Sequence, residues 1–136
     1  MANWCGMSRS NYFRVKDEAA FRTWAEAIEL AVLCDNQGRV GFYSNTDDGG
    51  LPSFRHTDDE EGSEEVDLVA ELAKHLIDGE IAVFMTIGHE KARYMSGSAV
   101  ALNSEATHVS IDLSDIYERA AATFGAKAGS ISEASY

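Results

Sequence analysis

Three β-prone runs, "EIAVFMTI" (80–87), "ARYMSGSAVAL" (92–102) and "THVSI" (107–111), follow one another with only Gly88-His89-Glu90-Lys91 and Asn103-Ser104-Glu105-Ala106 between them. A parallel crossover needs a dozen or more residues, so connections this short confine the three runs to an antiparallel meander. Gly97, inside the second run, is a candidate bulge or bend. An antiparallel sheet can leave one face wet, and the rest of the chain has to supply whatever covers the other.

The first half offers that cover. "SNYFRVK" (10–16) alternates, with Asn11, Phe13 and Val15 to one side and Tyr12, Arg14 and Lys16 to the other, as a half-buried strand does. Asp17 is placed to cap a helix, Glu18 suits its positive end, and Phe21, Trp24, Ala25 and Ile28 form its apolar stripe. "ELAVLC" (29–34) and "RVGFY" (39–43) flank Asp35-Asn36-Gln37-Gly38, which is hairpin chemistry.

From Ser44 to Glu65 periodicity stops and the chain's only proline appears, which predicts a long loop over 44–65. Ser63 is the expected cap of a second helix, with Glu64, Glu65 and Asp67 in its first turn, Val69, Leu72, Ala73 and Leu76 buried, and Asp78-Gly79 as its stop. A third helix is expected to be capped by Asp112 and stapled by Ile111 and Ile116. Its apolar face would be Leu113, Ile116, Tyr117, Ala120, Ala121 and Phe124, ending at Gly125. The order β-α-β-β-loop-α-β-β-β-α predicts an α+β fold: a mainly antiparallel sheet of about six strands with three helices on one face. One domain is expected over 1–125, followed by a flexible tail over 126–136.

Charge narrows the function. The 136 residues carry 23 acidic against 11 basic side chains, a formal charge of −12, which opposes direct binding to nucleic-acid phosphates or an anionic membrane. A protein partner with a basic surface is favoured. Cys5 and Cys34 lie outside any metal-binding or redox spacing and fit idle thiols in a reducing cytosol. The start "MANWCGMSRS" lacks the features of a signal peptide, and no apolar run approaches the roughly 20 residues of a membrane span. A cytoplasmic location is expected.

Catalytic motifs do not emerge. "HEKAR" (89–93) shares only its first two letters with the zinc-protease HExxH, because Arg93 stands where the second imidazole must be. There is no GxSxG elbow, and the Gly49-Gly50 pair is flanked by Asp47 and Asp48, which repel phosphate. In "TDDEEGSEEVDL", setting Gly62 as an EF-hand glycine puts Thr57 and Leu68 at ligand positions that need carboxylates. No catalytic residue, cofactor or metal site is expected.

What remains is the acid itself. "HTDDEEGSEEVD" (56–67) holds seven carboxylates, and residues 44–73 hold ten against a single Arg55, a net −9 of the chain's −12. Carboxylates spaced along a loop approach the charge density of duplex DNA, about one per 1.7 Å of axis. The expected partner-binding residues are Asp47, Asp48, Asp58, Asp59, Glu60, Glu61, Glu64, Glu65 and Asp67. A second, cationic and aromatic set, Tyr12, Arg14, Lys16, Arg93 and Tyr94, would gather on the wet sheet face if their strands were neighbours.

In size, acidity, cysteine use and lack of catalytic motifs, the chain resembles small phage and mobile-element proteins that disable bacterial defence, of the anti-CRISPR and anti-restriction type. The segments "SNYFRVKDEAAF", "LIDGEIAVFM", "GHEKARY" and "LSDIYERAA" also look like a widespread class of uncharacterised bacterial proteins. The first resemblance implies a non-enzymatic inhibitor in the host cytoplasm. Its acidic surface would dock on the DNA-binding site of a CRISPR effector or restriction enzyme. The alternative is a cytoplasmic protein-interaction module whose acidic loop is only solvated and whose sheet face or last helix binds a protein.

Overall fold

The computed structural model describes residues 4–44, 46, 49–51, 54–56, 63–91, 93–125, 127, 130–132 and 134. Its α+β fold has three helices and a six-stranded, wholly antiparallel sheet. The sheet contains β1 (Trp4–Ser10), β2 (Leu30–Cys34), β3 (Val40–Ser44), β6 (Ile81–Glu90), β7 (Tyr94–Asn103) and β8 (His108–Asp112), in the spatial order β2-β3-β1-β6-β7-β8. The helices are α1 (Glu18–Ala27), α2 (Leu68–His75) and α3 (Asp115–Phe124), and β4 (Phe54–His56) with β5 (Ser63–Glu65) forms a separate two-stranded sheet.

The first strand lies earlier than alternation predicts. β1 is built from "WCGMSRS" and pairs with β6 along its whole length, from Trp4 opposite Glu90 to Ser10 opposite Phe84. The expected 10–16 strand survives only as two isolated bridges, Phe13 with Val40 and Val15 with Leu76. Arg9 is opposite Tyr43 but Phe13 is opposite Val40, so one extra residue is accommodated between the two pairs, as in a bulge. Asn11 sits at this irregularity and replaces the lost ladder with its side chain. Its carboxamide oxygen accepts from the Val83 amide at 2.8 Å and its nitrogen donates to the Ile81 carbonyl at 3.2 Å. The alternation still points the right way, since Phe13 is fully buried and Arg14 and Lys16 are exposed.

One face of the sheet carries the core. Leu30, Val40, Phe42, Ala82, Phe84 and Leu102 point towards α1 and α2, which supply Phe21, Ala25, Leu68, Leu72 and Ala73. Phe13 lies at its centre, edge-on to Phe21 at 5.7 Å and to Phe42 at 6.4 Å between ring centroids. Two serines share this interior and both are satisfied. The Ser8 hydroxyl donates to the Gly49 carbonyl at 2.6 Å, and Ser10 accepts from the Phe42 amide at 2.8 Å while donating to the Asn11 carbonyl at 2.7 Å. Gly49 has a φ of +72° and sits so close to Gly6 that a Cβ there would overlap the Gly6 carbonyl. The segment after β3 is thereby drawn against β1.

Several expected boundaries move. α1 begins at its expected cap, Asp17, whose carboxylate accepts from the Ala20 amide. α2 is capped by Asp67 instead of Ser63, because Ser63, Glu64 and Glu65 are committed to β5. The helix ends at His75, and Leu76 leaves it to bridge Val15. β6 runs on through Gly88, His89 and Glu90, so the turn into β7 is confined to the three positions between Glu90 and Tyr94, of which Lys91 and Arg93 are described. Gly97 is not a bulge, since its pairing with Ile87 is in register. A Cβ on Gly97 would lie 2.9 Å from the Leu113 side chain, so the glycine makes room for Leu113. Asp112 belongs to β8, and the residue before α3 is Ser114, without a side-chain capping bond. The αL residue Gly125 ends α3, as expected.

The largest departure is the last helix. Only Ala121 of the expected apolar face is buried; Ile116 is 60% exposed and Phe124 79%. Amphipathic spacing predicts correctly that these residues share a side of the helix, but not that the side is covered.

Phe13 is buried against rings on two elements, Phe21 of α1 and Phe42 of β3, so Phe13→Ala should cost about 3–5 kcal/mol of stability, read by urea denaturation. Met85→Ala, on the open face of the same sheet, should cost far less. Equal losses would show that the core does not centre on Phe13.

Candidate functional site

The acidic segment is partly in view. Asp47, Asp48, Asp58, Asp59, Glu60 and Glu61 lie outside the described residues. What is described is their frame. β4 and β5 pair antiparallel with Phe54 opposite Glu65, Arg55 opposite Glu64 and His56 opposite Ser63. The six residues that connect them in sequence include Asp58, Asp59, Glu60 and Glu61. These four carboxylates therefore belong to the connection of a two-stranded unit separate from the main sheet.

The other three expected residues fall into different roles. Glu64 and Glu65 stand in β5, with the Glu65 side chain exposed. Asp67 is structural: its Oδ1 accepts from the Ala70 amide at 3.1 Å and its backbone carbonyl accepts from Glu71. A negative charge there also meets the positive end of α2.

The cationic and aromatic set does not assemble. β1 neighbours β3 and β6, so β6 separates it from β7, and Tyr94 pairs with Glu90 at the end where β1 begins. Arg14 is drawn the other way, its guanidinium donating to the Gln37 carbonyl at 3.0 Å. Arg93 instead lies over the ring of its neighbour Tyr94 at 5.4 Å, and Arg9 over Tyr12 at 5.8 Å. Neither pairing joins the two strands.

Sequence reasoning missed the sheet's outward face. Residues directly opposite in an antiparallel ladder share a face, so the register aligns Met7 with Ile87 and Gly97, and Arg9 with Met85, Ala99 and Ile111. Leu113 folds over this surface, held by its amide donating to the Gly97 carbonyl at 2.9 Å. A cleft of about 680 Å³ opens there between Cys5, Met7, Ile87, His89, Met95 and Leu113. The available signal was the odd-numbered apolar set 81, 83, 85 and 87 beside the even-numbered Ala82 and Phe84. Both faces of β6 are apolar, and two short helices cannot cover both.

Two further clusters are structural. His75 lies 5.1 Å from Trp24 and 5.8 Å from Phe21 between ring centroids, and the Trp24 indole donates to Glu71 at 3.0 Å. Burial pushes the His75 pKa below its ordinary 6.5, against the pull of Glu71 and Asp17 towards the charged form and with a smaller push from Lys74. On the other side of α1, Arg22 donates to the Cys34 sulfur at 2.7 Å and pairs with Glu18 at 3.5 Å. Its pKa is raised, chiefly by Cys34. Among the described residues no group of three His, Cys, Asp or Glu is arranged to hold a metal, and no helix is long and apolar enough to cross a membrane.

Two expectations follow. Asp67→Ala should cost about 1 kcal/mol as a lost helix cap, whereas Glu65→Ala should stay within about 0.5 kcal/mol; matching losses in urea titrations would refute this division. A folded-state His75 pKa below its unfolded value gives stability that is full above about 6.5 and lost as pH falls through the lower folded value. The melting temperature should therefore drop over that interval more steeply in the wild type than in His75→Phe, which retains a ring against Trp24. Parallel curves would exclude the link.

Compared with known proteins, the chain matches no family model, no curated protein and no solved structure.

Proposed function

We propose that this protein is a non-enzymatic inhibitor that presents its acidic segment, residues 47–67, to a basic nucleic-acid-binding surface of a bacterial defence complex, such as a CRISPR effector or restriction enzyme. The observation that carries the reading is the segregation of charge: a net −9 over residues 44–73 leaves only −3 for the rest of the chain. General acidification for solubility would spread that charge. A concentrated field instead meets an Arg- or Lys-lined groove as a phosphate backbone does and displaces the same counterions.

The frame of the segment agrees with this use. Asp67 is the one member with a described structural task, as helix cap. In sequence the run Asp58 to Glu61 falls between β4 and β5, outside the six strands of the main sheet and the three helices. Those four side chains are therefore the proposed contact, with Asp47, Asp48, Glu64 and Glu65 flanking it. Arg55 is the sole Lys or Arg within the segment.

Reversing Asp58, Asp59, Glu60 and Glu61 together to Lys should abolish protection of a phage plated on a host with active CRISPR or restriction defence, with the far-ultraviolet circular dichroism unchanged. Retained protection by the folded variant would overturn the reading. For a captured partner, raising salt from about 0.1 M to about 1 M shortens the screening length from roughly 10 Å to 3 Å and should weaken binding strongly. Binding indifferent to salt would assign recognition to an apolar surface instead.

A further inference from the structure

The outward face of the main sheet is apolar, continuous and free of acid. Among the described outward-facing residues of β1, β6, β7 and β8, Arg9 and His89 are the basic groups and there is no Asp or Glu. In a chain with 23 carboxylates, a sheet face that excludes all of them is a surface that can approach another acidic molecule without like-charge repulsion. Met7, Met85, Ile87, Met95, Ile111 and Leu113 are each more than half exposed on it.

α3 is the complementary half. Ile116 and Phe124 stand on its apolar side together with Ala120, at spacings of four residues, and the two large ones are exposed. A sheet face needs a covering layer and an amphipathic helix needs a face to lie on. Each copy of the chain carries both unmet surfaces. The first half of the helix brings Asp115 and Glu118 against Arg119, a net −1, while the cleft is bordered by Lys91 and His89. The charges on the two halves are opposite.

We propose that two copies of this chain form a twofold dimer in which α3 of each lies on the outward sheet face of the other, with Ile116 and Phe124 entering the cleft beside Met7, Ile87 and Met95. The contact is isologous, so one self-complementary arrangement covers both helices and both faces. The area suffices: about ten large apolar side chains at half exposure or more, roughly 100 Å² each, approach the ~800 Å² per partner of a standard stable interface. This dimer does not depend on the acidic segment, and reversing Asp58 to Glu61 should leave it unchanged.

The test is sedimentation of the full chain under reductant, over concentrations from low micromolar upwards. The wild type should sediment at twice 14.8 kDa, with little dependence on salt. Met85→Glu with Ile111→Glu should weaken the dimer about tenfold or more, and so should Phe124→Ala, which removes the larger of the helix's two anchors without touching the sheet. Because all three positions are exposed, the circular dichroism should not change. If the double Glu variant nevertheless loses structure, Met85→Gln with Ile111→Thr is read in its place. A wild type that stays monomeric throughout overturns the proposal, as does a dimer that survives the sheet substitutions or is indifferent to Phe124→Ala.

Discussion

The pairing of β1 with β6 is the contact on which the rest of the structure depends. Seven consecutive residues of β1 lie opposite seven of β6, joining two units that are otherwise separate in sequence: the α1 helix with its β2-β3 hairpin, and the β6-β7-β8 meander. Without this ladder neither unit has a full core, because Phe42 and Val40 come from one and Phe84, Ala82 and Leu102 from the other. The ladder also explains two buried hydroxyls in an apolar interior. Ser8 and Ser10 point inward from β1 and spend their hydrogen bonds anchoring the Gly49 segment and the Phe42 amide.

Three features read by local chemistry stand where expected. Asp17 before Glu18, Asp35 to Gly38 between apolar runs, and Gly125 after a periodic stretch each have a short-range cause. Asp35 shows why: its carboxylate accepts from the Gln37 and Arg39 amides and pairs with the Arg39 guanidinium, so the turn is closed by its own residues. The misplacements have long-range causes. "WCGMSRS" shows little apolar alternation because its strand is defined by β6, some eighty residues away. Ser63 to Glu65 resembles a helix start until β4 claims it. The amphipathic spacing of α3 gives the side that avoids water and says nothing about what covers it.

The acidic segment was legible as composition and less so as geometry. Seven carboxylates between His56 and Asp67 can be counted in the sequence, but their division of labour cannot. Asp67 acts on a backbone amide three residues away, whereas Glu65 is an exposed strand residue. Charge and apolar surface are consequently segregated. In sequence the carboxylates concentrate between residues 44 and 73, and the outward face of the sheet carries none among the described residues.

The order in which the strands occur along the chain also bears on how the molecule is made. During synthesis β1 emerges early, but β6 follows only after some seventy further residues, so β1, once paired with β3, has to wait with its other edge open. Non-local pairing of this kind raises contact order and slows folding. An edge left open in the interval is the place where a nascent chain is most exposed to misassociation. The thirty residues before α2, rich in carboxylates and poor in β-branched residues, fall inside that interval. They keep the waiting segment charged until its partner strand arrives.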